Sequence, residues 1–197
     1  MYIIFPPWLS VVHSKIMQKI SLEVASAIFA ELRRALRSSV VKGKLDISVV
    51  GSVRRRAPYT KDIDLLITIP DTMASQIDKI LPSLYIADSS IRVHSITSAG
   101  VKRRSLEISM QKNIVAIDIF ITTQSLKPFA MLHHTGSAAY NIRVRTHASK
   151  RGWILNQYGV YYRLTRRRVR NSLKIRTEQE LVNFIGVSYR PPAGREN

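Results

Sequence analysis

Gly51-Ser52-Val53-Arg54-Arg55-Arg56-Ala57-Pro58-Tyr59-Thr60-Lys61-Asp62-Ile63-Asp64-Leu65-Leu66-Ile67-Thr68-Ile69 decides the fold of this chain. Its second half is an apolar, β-branched run stopped by Pro70, which reads as a buried strand with two carboxylates at its mouth. Residues at i and i+2 of a strand point to the same side, so Asp62 and Asp64 share a face. The Gly51-Ser52 turn just upstream offers backbone N–H groups and a hydroxyl to an anion. Paired hard-oxygen ligands beside a phosphate-sized nest are what a divalent-metal triphosphate site requires. A DxD heading an apolar run also occurs as a turn or an edge charge; the upstream Gly-Ser favours the site.

Working outward, the residues from Ser14 to Ser38 predict one amphipathic helix with Ile16, Ile20, Val24, Ile28, Leu32 and Leu36 on one face. Gly43 ends that region, and 46–50 is a short strand leading into Gly51. A basic loop from Arg54 to Lys61 follows. Beyond Pro70, a short helix capped by Asp71 or Thr72 is expected to end before Pro82. Segments 91–97 and 104–110 read as a β-hairpin around Gly100. Asn113 to Thr122 is another strand, and in it Asp118 stands alone among apolar neighbours. A carboxylate there costs several kcal/mol if it is desolvated without a partner. Asp118 therefore sits at a rim, pairs with an arginine, or faces Asp62 and Asp64 across adjacent strands to share metal. The third reading fits the pair already found.

From Lys127 the character changes. A short helix over 128–134 meets Thr135-Gly136-Ser137, a second helix runs over 138–150, and 153–162 resembles a small hairpin around Tyr158-Gly159. Thr177-Glu178-Gln179-Glu180 reads as a capping box opening a helix that stops at Gly186. A boundary near residues 122–127 divides the chain into 1–124 and 125–197.

Composition bounds the function. The chain has 197 residues, 45% of them hydrophobic, which is enough for a real core. It has no cysteine, so disulfides and thiolate metal sites are excluded. No apolar run approaches the length of a membrane span, and the apolar start Met1 to Trp8 lacks a basic flank, breaks at two prolines and reads as a leading strand or packing arm. Thirty-one basic residues against 13 acidic ones give a formal charge of +18. Between Asp118 and Glu178 there is no acid, and the basic residues there include the cluster Arg166, Arg167, Arg168 and Arg170. Such one-signed charge favours a polyanion through phosphate contacts and counterion release. Arg166, Arg167 and Arg168 are accordingly expected on the phosphates of a nucleic-acid backbone. A basic nucleic-acid-binding module without catalysis fits the charge alone, but not three carboxylates at strand mouths.

The ordered motifs resemble the family X DNA polymerases, the polymerase beta type. Gly51-Ser52-Val53-Arg54-Arg55 followed by Asp62-Ile63-Asp64 is similar to that family's signature, and Ala116-Ile117-Asp118-Ile119 to the strand of its third carboxylate. His134-Thr135-Gly136-Ser137 with Asn141 and Arg145 is similar to its nucleotide-pocket helix, and Gly152 to Tyr158 to the segment after it. The tail from Glu180 to Pro192 is similar to its C-terminal helix and exit. The resemblance spans roughly residues 51 to 195 and is nearest to the short, two-domain viral branch of the family. It implies an α+β fold: a nucleotidyltransferase palm with a mixed β-sheet and flanking helices, then a small α+β nucleotide-binding subdomain, with no lyase or helix-hairpin-helix domain. A template-independent nucleotidyltransferase shares the same carboxylates and is the competing enzyme reading.

The same resemblance implies roles. Asp62, Asp64 and Asp118 would be catalytic and would hold two Mg²⁺ ions, with Mn²⁺ as a substitute. Gly51, Ser52 and Arg55 would meet the terminal phosphates of a dNTP, while Arg54 and Arg56 face solvent or template. His133, Thr135, Gly136, Ser137 and Asn141 would line the nucleotide pocket, Thr135 alternatively serving as a helix cap. Arg145 and Asn156 would approach the DNA. The partners implied are gapped or primed duplex DNA and dNTP, with no membrane, and the chain acts as a monomer in DNA repair of the base-excision type. It is expected to be soluble and intracellular, and, for a viral member, in host cytoplasm and virion.

Overall fold

The computed structural model describes residues 19–39, 45–76, 91–99, 103–110 and 113–195. The expected N-terminal arm, the helix start at Ser14, the breaks at Gly43 and Pro82 and the turn at Gly100 lie outside them. The chain enters through a short strand β1 (Ile20–Ser21) and helix α1 (Leu22–Ser39), followed by β2 (Asp46–Val49) and the single helical turn α2 (Gly51–Arg54). Strands β3 (Tyr59–Thr60) and β4 (Asp62–Ile69) come next, then a 3-10 turn at Asp71–Gln76. Strands β5 (Arg92–Ala99), β6 (Arg103–Met110) and β7 (Asn113–Thr123) complete the first part. The second part holds α3 (Lys127–Thr135), α4 (Ala138–Lys150), the hairpin β8 (Trp153–Asn156) and β9 (Gly159–Tyr162), and α5 (Glu178–Ile185).

A five-stranded mixed sheet in the order β2-β4-β7-β6-β5 organises the first part. Only β4 and β7 run parallel; the other neighbours are antiparallel. Alternation decides what each face does. Ile63, Leu65, Ile67 and Ile69 of β4 and Val115, Ile117, Ile119 and Ile121 of β7 are buried in one cluster against Ile28, Leu32 and Leu36 of α1. On the opposite face, Leu66 packs with Val50, with Ala130 and Met131 of α3, and with the half-buried Phe120. Side chains from Phe129 onward build a separate cluster, in which Leu132, Tyr140 and Val144 meet Leu155, Leu181 and Ile185. The α+β architecture and mixed sheet with flanking helices are as expected.

Two expectations are corrected at the entry to this sheet. Residues Ile20 and Ser21 are extended rather than helical, pairing with Thr60 and Tyr59 inside what was expected to be a loop. The helix begins only at Leu22, where the Ser21 hydroxyl accepts the Val24 N–H at 3.3 Å and the Leu22 N–H donates to the Pro58 carbonyl at 3.0 Å. A serine able to satisfy a first-turn donor ends the periodic pattern locally, although the apolar spacing continues through it. Farther on, the capping signals hold. Thr177 accepts the Glu180 N–H, and α5 stops at Gly186 in the left-handed region, at φ 85°. Among the described residues no helix is long and apolar enough to cross a membrane.

The burial pattern makes a quantitative prediction. Leu65 exposes none of its surface, whereas Ile96 on the edge strand β5 exposes 53%. Leu65→Ala should cost about 2–5 kcal/mol, and Ile96→Ala less than about 0.5 kcal/mol. Urea unfolding of the two variants measures the contrast, and similar losses would contradict the core assignment.

Candidate active site

Register brings the carboxylates together. In the parallel β4–β7 ladder Asp64 lies directly opposite Asp118, and Asp62 opposite Ala116. All three acids occupy the face that the alternating isoleucines leave free, and each is half-buried. The sequence expectation that Asp118 faces the pair across adjacent strands is met in the backbone pairing. Concentrated negative charge follows from this. The Asp64 carboxyl is pushed up to about 7 by burial first, then by Asp62 and Asp118, against the pull of Arg103 and Arg55.

The Gly51-Ser52 turn is fitted to this face. The Val50 N–H donates to the Asp64 carbonyl at 2.9 Å, and Gly51 takes φ 60°. A Cβ on Gly51 would fall 1.9 Å from Asp64 Oδ2, so only glycine fits there. Ser52 Oγ lies 2.6 Å from Thr60 Oγ1, which donates to the Asp62 carbonyl at 2.7 Å. That relay locks the serine to the strand mouth.

The arginines that follow reach across to the second part of the chain. Arg55 Nη1 donates to the Thr135 carbonyl and stands 3.2 Å from where a Gly136 Cβ would be. Arg54 donates to Thr135 Oγ1 and pairs with Glu178. Glu178 also accepts from Arg195, which is fully buried, at 2.9 Å, and the Arg195 guanidinium lies 4.7 Å over the Tyr140 ring. Arg54 therefore takes a role weighed in neither of its sequence alternatives, solvent or template. In the sequence Glu178 reads only as part of a capping box, not as an ion-pair partner, and Arg195 is not singled out. The available signal was that Glu178 is the first acid after a stretch without any.

Two of the expected pocket residues and two of the expected DNA contacts meet in one crevice. His133, Asn141, Arg145 and Asn156 line it with Phe129, Leu132 and Leu155. Asn141 Nδ2 donates to the His133 carbonyl at 2.8 Å, and Arg145 Nη2 lies 2.6 Å from His133 Nδ1. Ser137 caps α4 by accepting the Tyr140 N–H. His134 stacks on Phe120 with ring centroids 4.0 Å apart. Burial chiefly, then neighbouring cationic groups, lowers both imidazoles, His134 to about 4. Near neutral pH both rings are therefore uncharged. Of the basic cluster, Arg166 and Arg167 are exposed, while Arg168 donates to the Tyr158 carbonyl at 2.8 Å and to Tyr161 Oη at 3.1 Å.

Whether these acids suit divalent cations can be judged from their state. A carboxyl raised to about 7 by burial and then by two like charges marks a set short of positive charge, and hard carboxylate oxygens suit Mg²⁺ or Mn²⁺. Asp118 already draws on a cation: Arg103 Nη2 donates to its Oδ2 at 2.7 Å, and Ser105 donates to Oδ1. With Asp118 engaged this way, no three described acidic or imidazole groups are gathered closely enough to hold one ion together. The donor set fits such ions, with Arg103 standing where charge is needed.

Comparison with known proteins adds to the geometry. A family model described as the DNA polymerase beta thumb matches residues 130–196. The chain is 37% identical over 150 residues to repair DNA polymerase X of African swine fever virus, covering 76% of this chain and 81% of that protein. It is 26% identical over 174 residues to DNA polymerase lambda of Rattus norvegicus, covering 74% of this chain and 28% of that one. Leishmania infantum polymerase beta in a ternary gap complex superposes with a TM-score of 0.73 at 20% identity, over 92% of this chain and 72% of that one. That likeness speaks to the fold.

Two outcomes test the site. Gly51→Ala should push Asp64 aside and lower activity at the carboxylates about a hundredfold or more, the scale of an ångström-level misplacement; steady-state assay against Gly194→Ala, where an added Cβ meets nothing within 4 Å, checks it. His134 takes up a proton near 6.5 when unfolded but near 4 when folded, so the unfolded chain binds more protons between these values. Stability should therefore fall as pH drops through that window. His134→Phe should keep the ring stack and flatten the dependence, as read from thermal midpoints across the range.

Proposed function

This chain belongs to the family X DNA polymerases, and we propose that Asp62, Asp64 and Asp118 carry out its nucleotidyl transfer while the α3–α4 junction holds the incoming nucleotide. It is a DNA-directed DNA polymerase of the repair type. The substrate is DNA, consistent with a formal charge of +18. The observation that carries the assignment of residues is the register of Asp64 on Asp118, with Gly51 leaving room for the Asp64 carboxylate.

In this reading residues 1–124 are the palm and 125–197 the nucleotide- and DNA-binding subdomain, and a single copy of the chain acts on gapped or primed duplex DNA with dNTP. Asp62 and Asp64 together with Asp118 would hold two divalent ions, Mg²⁺ or in its place Mn²⁺, which supply positive charge to the attacking and leaving oxygens. Asp118 gives up Arg103 on engagement and lies nearest the primer 3′-hydroxyl, whose proton it draws off. The 3′-oxygen then bonds to the α-phosphorus of the dNTP as the bond to the β-phosphate breaks and pyrophosphate departs. Ser52 and the Gly51-Ser52 backbone receive the terminal phosphates, and Arg55, close against Gly136, offsets the charge gathering there. Thr135, Gly136 and Ser137 bring backbone to the sugar. His133 stacks as a neutral ring, and Asn141 exchanges its bond to the His133 carbonyl for the base edge. Arg145 and Asn156 approach the DNA from the same crevice, and Arg166, Arg167 and Arg168 contact its phosphates.

Asp118→Asn should leave DNA binding intact and lower primer extension about a thousandfold or more, the loss expected when a charge-stabilising group is removed. Extension of a gapped duplex with each template base, compared with a single-stranded RNA and a small-molecule acceptor, measures it. Extension at the unaltered level, or nucleotide addition that ignores the template base, would overturn the assignment.

A further inference from the structure

We infer that the segment after β9 forms a docking site for single-stranded DNA, so that the preferred substrate is a primer end facing several nucleotides of unpaired template; the inference rests on the polymerase reading above. The site is an open cavity of about 640 Å³ between the end of α4 and the turn that follows the hairpin. Arg151, Arg163, Arg167, Arg168, Arg170 and Tyr162 line it. No carboxylate pairs with any of these five arginines among the described residues. Three of them are held by neutral groups: Arg151 by the Phe184 carbonyl, Arg163 by Ser149, and Arg168 by Tyr158 and Tyr161. The buried Nη1 of Arg168 has no partner. Five like charges around one hollow repel one another, and an anion bound in it relieves that repulsion.

The backbone presents these charges rigidly. The Tyr162 N–H donates to the Arg167 carbonyl at 2.8 Å, Arg166 N–H to the Tyr162 carbonyl at 2.9 Å, and Val169 N–H to the Val160 carbonyl at 2.9 Å. The turn is thereby folded back on β9, with Arg166 in the left-handed region at φ 56°. Between the arginines lie apolar and aromatic surfaces: Tyr162 is 41% exposed and Leu164 is 95% exposed. A duplex keeps its bases stacked inside and has nothing to offer such a floor. A single strand has both the phosphates for the rim and free base faces for Tyr162, the combination that binds single strands without reading sequence.

Position links the cavity to the reaction. Arg151 caps α4 ten residues beyond Asn141 of the nucleotide crevice. That is about 15 Å along a helix axis, the rise of about four or five stacked nucleotides. A template strand leaving the crevice along α4 reaches the cavity only when at least that many unpaired nucleotides are present.

Fluorescence anisotropy of the full chain, without dNTP, on one duplex with template overhangs of about two and about ten nucleotides tests the inference. The long overhang should bind about tenfold tighter or more. Tyr162→Ala should abolish that gain and Tyr162→Phe should keep it. The combined Arg167→Ala, Arg170→Ala variant should lower the salt slope of the long-overhang complex by about 1.4. Equal affinity for the two lengths, or the same gain from an overhang of abasic nucleotides, would overturn it. Primer extension at a minimal gap is scored separately, since its failure would remove the polymerase reading without touching the overhang measurement.

Discussion

Parallel pairing of β4 with β7 is the constraint on which the rest depends. The core face of these strands is filled by isoleucine and leucine side chains with almost no exposed surface. Each is worth about 1.5–3 kcal/mol on burial. A slip of one residue would turn all of them outward and drive Asp62, Asp64 and Asp118 into that core. The apolar face thus compels three carboxylates to share the other face, although burial and then their mutual repulsion bring Asp64 to about 7. Packing supplies the energy that holds this unfavourable arrangement, and the arrangement is what gives the site its appetite for positive charge.

How the second part of the chain sits on that site depends on few contacts. Leu66 and Phe120 cover the far end of the acidic face with Val50, Ala130 and Met131, leaving the strand mouths open. Arg54 and Arg55, adjacent in sequence, both end on Thr135, at the junction of α3 and α4. Behind Arg54 lies Glu178, shared with the buried Arg195. Breaking one partner of a buried ion cluster leaves charge without compensation, at a cost of about 3–5 kcal/mol. The turn against Asp64 and the helix junction beyond it are therefore held as a unit. The Phe120–His134 stack makes a second link from β7, one ring away from Arg103 and Asp118.

Much of this was legible because its signals are local. Alternation identified β4 and β7, glycine and proline marked their ends, and Thr177 and Gly186 marked both ends of α5. The solitary Asp118 pointed to its partners because a lone acid in an apolar strand demands an explanation. Where two local signals competed, the reading failed: the periodicity through Ile20 suggested helix, and Ser21 together with pairing to Tyr59–Thr60 ended it at Leu22. Long-range ion pairs carried no local mark. Arg54 and Glu178 lie 124 positions apart, and nothing in either neighbourhood names the other.

By itself the sequence determined which residues alternate into a core, where strands and helices stop, and that a strongly basic chain carries two acids and a glycine-serine turn at one strand mouth and a lone acid within another apolar strand. Those properties follow from side-chain period, backbone freedom and charge, each of which acts within a few residues. Only the tertiary structure decided that Asp64 meets Asp118 in register, that Arg103 already neutralises Asp118, that Arg54 serves as a tie to Glu178, and that His133 and His134 stay uncharged. These are matters of distance and burial between segments remote in the chain. Electrostatic energy depends on both, and neither is written in the order of the residues.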